Sequence, residues 1–127
     1  MNSIVTVSGN LTRDPELKFN DSGLASVRFG IASTYRAKER ETTSFYDVLA
    51  FGKTAENIHT SLTKGSGAIV TGRLEVRQYE KQDGTKGTAV EIVADEVGAL
   101  LRFATVNISK NEKLVSANNA PWDDNSF

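Results

Sequence analysis

The chain has no cysteine and a single histidine, His59, among its 127 residues. Without thiols it has no disulfide, no thiolate zinc site and no cysteine nucleophile, and one histidine cannot build a histidine metal cluster. No run of ~18 apolar residues is present, so no segment reads as a membrane-spanning helix. The opening stretch, MNSIVTVSGN, has neither the basic n-region nor the apolar h-region of a secretory signal and goes straight into alternation. A charge excess is also missing: 15 Lys and Arg stand against 16 Asp and Glu. That balance counts mildly against a nucleic-acid binder, although distribution matters more than the sum. No Ser/His/Asp or paired-carboxylate arrangement can be assembled. Gly52-Lys53-Thr54 imitates the end of a phosphate-binding loop, but that motif needs glycine where Asp47 stands. These absences suit a cytoplasmic protein that is not an enzyme and carries no cofactor. The length suits one domain.

What is present is mostly strand. Residues 4–8 alternate and stop at Gly9-Asn10. Residues 25–32 place Ala25, Val27, Phe29 and Ile31 on one face, a half-buried pattern of period two. A charged connection follows, then the unbroken strand SFYDVLAF over 44–51. Residues 53–62 carry Ala55, Ile58 and Leu62 at helical spacing, with Thr54 in place for an N-cap. A fourth strand sets Ala68, Val70, Leu74 and Val76 against Arg73, Glu75 and Arg77. It runs out at Tyr79 towards Asp83-Gly84, a strong hairpin-turn signal. A fifth strand spans about 88–94. The expected fold is all-β: a five-stranded barrel with one helix between the third and fourth strands, the element order of an OB-fold. The domain is expected over 1–105. Residues 106–127, rich in Asn, Ser and Lys, are expected to form a flexible tail.

The strand 44–51 is apolar on both faces, and Asp47 decides its orientation. An unpartnered carboxylate in a small β core costs several kcal/mol or loses its charge. The face with Asp47 therefore points out and takes Phe45, Leu49 and Phe51 with it, while Tyr46, Val48 and Ala50 point in. On the fourth strand Tyr79 has the same parity as the outward arginines. Exposed aromatics between basic residues suit single-stranded nucleic acid: bases stack on the rings at ~1–3 kcal/mol each, and arginines neutralise phosphates. Such rings also suit a protein interface. An OB-fold interaction module or adaptor without significant DNA affinity is therefore the competing expectation.

Several stretches resemble the bacterial single-stranded DNA-binding proteins, in the form found in high-GC Gram-positive bacteria or their phages. They are GNLTRDPELKF (9–19), FGKTAENIHTSLTKGSGAIVTGRL (51–74), RQYEKQDG (77–84) and DEVGALLRFAT (95–105). The resemblance covers roughly residues 1–105. It implies an OB-fold homotetramer that wraps single-stranded DNA without catalysis, in replication, recombination and repair, in the nucleoid-associated cytoplasm. It implies base stacking by Phe45, Phe51 and Tyr79, with Tyr35 a possible fourth platform in a connection that is short for the family. Phosphate contacts are implied for Arg28, Lys53, Arg73 and Arg77. The last residues, Trp122, Asp123, Asp124, Asn125, Ser126 and Phe127, resemble the family's acidic tip, which implies recruitment of replication and repair proteins. Ser126 stands where the family usually has proline, and the linker before the tip is short.

Overall fold

A computed structural model of the protein describes residues 2–111, so the tip motif at 122–127 lies outside the described residues. The elements are β1 (Ile4–Leu11), β2 (Glu16–Phe19), β3 (Ala25–Ala37), β4 (Arg40–Phe51), α1 (Gly52–Ser61), β5 (Gly67–Glu80) and β6 (Lys86–Ala99). The fold is mostly β with one helix, as expected, but it has six strands where the sequence suggested five. The extra one, β2, is four residues long, and its alternation is too short to stand out. It pairs with β3 from Glu16↔Arg28 to Phe19↔Ala25.

The strand order is β1-β5-β6-β4-β3-β2, and β1 also pairs with β3. Five strands therefore close into a ring, with β2 attached outside β3. The closing pair is brief, Asn10↔Ala32 and Leu11↔Ile31. The Thr12 N–H extends it by donating to the Gly30 carbonyl at 2.9 Å. The β4–β6 contact is parallel and also short, Asp47↔Glu91 to Leu49↔Val93. On the opposite side of the ring, β5 and β6 pair along their whole length, with a register shift at Thr71/Gly72. A shift of this kind bends and twists the ribbon, which helps a sheet to close.

The inward set follows the alternation. Phe29, Ile31, Ile92, Val27, Val48 and Val70 are fully buried, and Tyr46 packs partly buried against them. Register puts Phe29 beside Val48, Val27 beside Ala50 and Leu74 beside Ile92. One end of the ring is stoppered by α1 through Ala55, Ile58 and Leu62, the three residues its spacing marked. The helix begins earlier than expected. Phe51, still extended, is the N-cap, without a side-chain capping bond, and Thr54 lies inside the first turn. The Leu62 N–H closes the other end onto the Ile58 carbonyl at 2.9 Å. His59 is at the surface, and its Nδ1 donates to the carbonyl of buried Pro15 at 3.2 Å.

Both long hairpins outrun the core. The β3–β4 pairing continues to Ala37↔Arg40, so the charged connection is the end of a hairpin. The β5–β6 pairing continues to Glu80↔Lys86. Val76 and Val90 have inward parity but are exposed, because no second layer lies beneath the ribbon at that distance. At the tip Gly84 supplies the positive φ and Asp83 accepts from the Thr85 hydroxyl at 2.6 Å and the Thr85 N–H at 3.0 Å. Those bonds hold the Asp83 carboxyl below its ordinary pKa.

Residues 100–111 have no regular structure. Leu100 N–H donates to Gly67, and the segment reaches α1, where Asn111 Nδ2 donates to Asn57 at 2.9 Å. Along it Leu101, Phe103 and Ile108 are exposed. Among the described residues no helix is long and apolar enough to cross a membrane, and no cluster of His, Asp and Glu could hold a metal ion.

Candidate nucleic-acid interface

Cross-strand partners share a face, so the register settles which side chains meet. Phe45, Asp47, Leu49 and Phe51 share the outer face of β4. Leu49 pairs with Arg28 on β3, and Asp47 with Glu91 on β6. Glu91 pairs in turn with Glu75 on β5, and the same parity takes in Arg73, Arg77 and Tyr79. One face thus gathers Phe45, Phe51, Tyr79, Arg28, Arg73 and Arg77 from three strands, β3, β4 and β5. Lys53 follows Phe51 at the start of α1 and is exposed. The rings are available to solvent: Phe45 is 73% exposed, Phe51 46% and Tyr79 48%. Tyr79 is also held in place. A Cβ built on its partner Gly87 would lie 2.6 Å from the tyrosine Cζ, so the ring rests on the space the glycine leaves. One side of the ring meets the ribbon and the other is free.

Tyr35 is 68% exposed but stands apart. It pairs with Thr42 and shares the parity of Phe29 and Ile31, which places it on the opposite face of its hairpin from Phe45. The structure brings three of the four expected platforms together and leaves the fourth on the other side.

Leu49 departs from the expectation of an outward, exposed residue: it is buried, with 9% of its surface accessible. The cover comes from two other strands. Arg28 on β3 and Glu91 on β6 form an ion pair that reaches across β4, and Leu49 lies beside it in register with Arg28. Glu91 and Glu75 are the anchors of this layer. The Arg73 guanidinium lies 2.9 Å from Glu75, and Arg13 Nη2 lies 3.6 Å from Asp47. Three carboxylates therefore stand in one row, Asp47, Glu91 and Glu75, and each has its own arginine. Arg28 and Arg73 are engaged in these pairs. Lys53 and Arg77 are in no ion pair among the described residues. Arg13 was not singled out from the sequence, because it sits in a loop with no periodicity to place it.

An unroofed set of rings flanked by cations is the surface chemistry that stacks unpaired bases. The comparisons agree with it. Residues 1–100 match the family model described as the Single-strand binding protein family. The chain belongs to that family. Its relatives include the Single-stranded DNA-binding protein of Mycobacterium leprae, 44% identical over 113 residues, which cover 84% of this chain and 67% of the relative. That of Mycolicibacterium smegmatis is 45% identical over 113 residues, covering 84% and 68%. The Single-stranded DNA-binding protein 2 of Streptomyces coelicolor is 43% identical over 115 residues, covering 85% and 58%. The resemblance to the form of high-GC Gram-positive bacteria is borne out, and the family is a non-enzymatic one.

Proposed function

We propose that this chain is a sequence-tolerant single-stranded DNA-binding protein built on an OB-fold barrel. It coats exposed strands in the cytoplasm during replication, recombination and repair. The observation that carries the reading is the shared outer face on which Phe45, Phe51 and Tyr79 are exposed beside basic residues. Bases stack on the three rings. Lys53 and Arg77 meet phosphates directly, and Arg28 and Arg73 do so by exchanging a carboxylate for a phosphate. The chain works as a homotetramer. Exposed Ile4, Leu101 and Phe103 supply apolar surface for burial between copies. The tip, Trp122 to Phe127, recruits replication and repair proteins: its carboxylates steer, and the Phe127 ring fits a basic-rimmed apolar pocket.

Titration of a labelled oligo-dT at rising NaCl tests the reading. Affinity falls with salt because counterion release gains less in concentrated salt, yet a stacking component persists at high salt. Duplex DNA of the same length binds more weakly. Native mass spectrometry of the same mixtures counts the subunits. No binding of oligo-dT at low salt would leave the interaction-module alternative in possession.

The seat of Tyr79 gives a narrower expectation. Gly87→Ala puts a methyl where the ring rests, so the ring must move while the backbone stays. We expect binding of oligo-dT to weaken by about fivefold, the low end of one stacking contact at ~1 kcal/mol. The thermal midpoint should fall by only a few degrees, because the added methyl meets the free ends of the Tyr79 and Lys81 side chains rather than backbone. Unaltered affinity would show that Tyr79 is not a platform.

A further inference from the structure

The loop between β1 and β2 delivers a cation to the outer face that the chain's pattern gives no reason to expect there. Thr12 is tied to β3 by its N–H bond to the Gly30 carbonyl. The next residue, Arg13, then lies across β3 at Gly30. A Cβ on Gly30 would stand 2.8 Å from Arg13 Nη1 and 2.4 Å from the Thr12 hydroxyl, so the guanidinium occupies the space the missing side chain leaves. Gly30 is the register partner of Asp47, and Ala32, two residues along, is the partner of Phe45. The guanidinium therefore sits one alternate position, ~7 Å along the strand, from the Phe45 ring. That is about the reach from a stacked base to its own phosphate.

We propose that Arg13 is a further contact residue for the phosphate backbone of a single strand stacked on Phe45. The proposal rests on the reading of this face given above. Of the three arginines that pair with the carboxylate row, Arg13 has the longest separation, 3.6 Å, and both partners are about half exposed. Such a pair in water holds its members weakly. Arg13 has less to give up than Arg28, whose glutamate is nearly buried. Its planar fork matches two phosphate oxygens, and Gly30 keeps the fork flat against the sheet. Asp47 holds the free guanidinium in position and competes with the incoming phosphate.

The test is the salt dependence of oligo-dT binding by the full chain, followed by fluorescence anisotropy, for wild type, Arg13→Ala, Arg13→Lys and Asp47→Asn. Losing one phosphate contact lowers the slope of log K against log salt by about 0.7 for a single strand. Arg13→Ala is expected to show that smaller slope and a several-fold loss at low salt, with its urea midpoint unchanged. Arg13→Lys restores the slope, and Asp47→Asn raises affinity. An Arg13→Ala chain with wild-type affinity and slope overturns the proposal, as does one that binds more weakly at an unchanged slope. A chain with the Phe45, Phe51 and Tyr79 rings removed is run alongside. If it loses binding while Arg13→Ala does not, the face stands and Arg13 falls. If neither loses binding, the reading of the face falls with it.

Discussion

Replacing Phe45, Phe51 and Tyr79 together with alanine is expected to lower single-stranded DNA affinity by at least about a hundredfold. Each ring supplies ~1–3 kcal/mol of stacking, so three rings supply roughly 3 kcal/mol at the low end, and every 1.4 kcal/mol is about a factor of ten. The rings are open to solvent in the free chain, so their removal costs the fold little. Urea unfolding of the triple variant should keep its midpoint and slope. What remains of the binding should be the charge-driven part, and it should vanish as salt rises. A triple variant that binds as tightly as the parent would reject the mechanism outright.

The second large effect is on stability. Phe29 is fully buried at the centre of the ring, beside Val48 in register. Phe29→Ala removes the ring and leaves a cavity bordered by strands on several sides that cannot all collapse into it. Such a change costs about 3–5 kcal/mol, a large share of the 5–15 kcal/mol that holds a typical domain together. The urea midpoint should fall steeply while the slope is kept. A loss under about 1 kcal/mol would mean that the short β1–β3 and β4–β6 seams leave the interior open. The two variants separate the faces of the sheet: one loses the ligand and keeps the stability, and the other loses stability through the core without touching the binding face.

Most of this division can be read in the sequence. Asp47 alone fixed the outward face of β4, and the structure finds Phe45 and Phe51 exposed on it and Tyr46, Val48 and Ala50 turned inward. The same rule failed for Leu49. Its roof is built by Arg28 and Glu91, residues far away in sequence that only the register brings across β4. Glu91 meets Arg28 through the same register, whereas Glu75 pairs with Arg73 two residues away on its own strand. Tyr35 is a different case. The alternation that marks Val27, Phe29 and Ile31 as inward reaches Tyr35 with the same parity, so its separation from Phe45 was already written in the pattern. The strand β2 escaped notice because four residues with one core-packing side chain, Leu17, make no period. Arg13 could not have been found at all, since a loop residue has no parity and its place depends on the absent side chain of Gly30.

The row of matched charges also bears on how fast the ligand arrives. Each carboxylate on the face has an arginine, and the whole chain carries a formal charge of −1. Only Lys53 and Arg77 are left unbalanced on the face among the described residues, so the field that reaches beyond a Debye length to draw in a polyanion is modest. Encounter is then ordinary diffusion, in the range of about 10⁵–10⁷ per molar per second that docking geometry leaves. Tight complexes of this protein must owe their tightness to long residence.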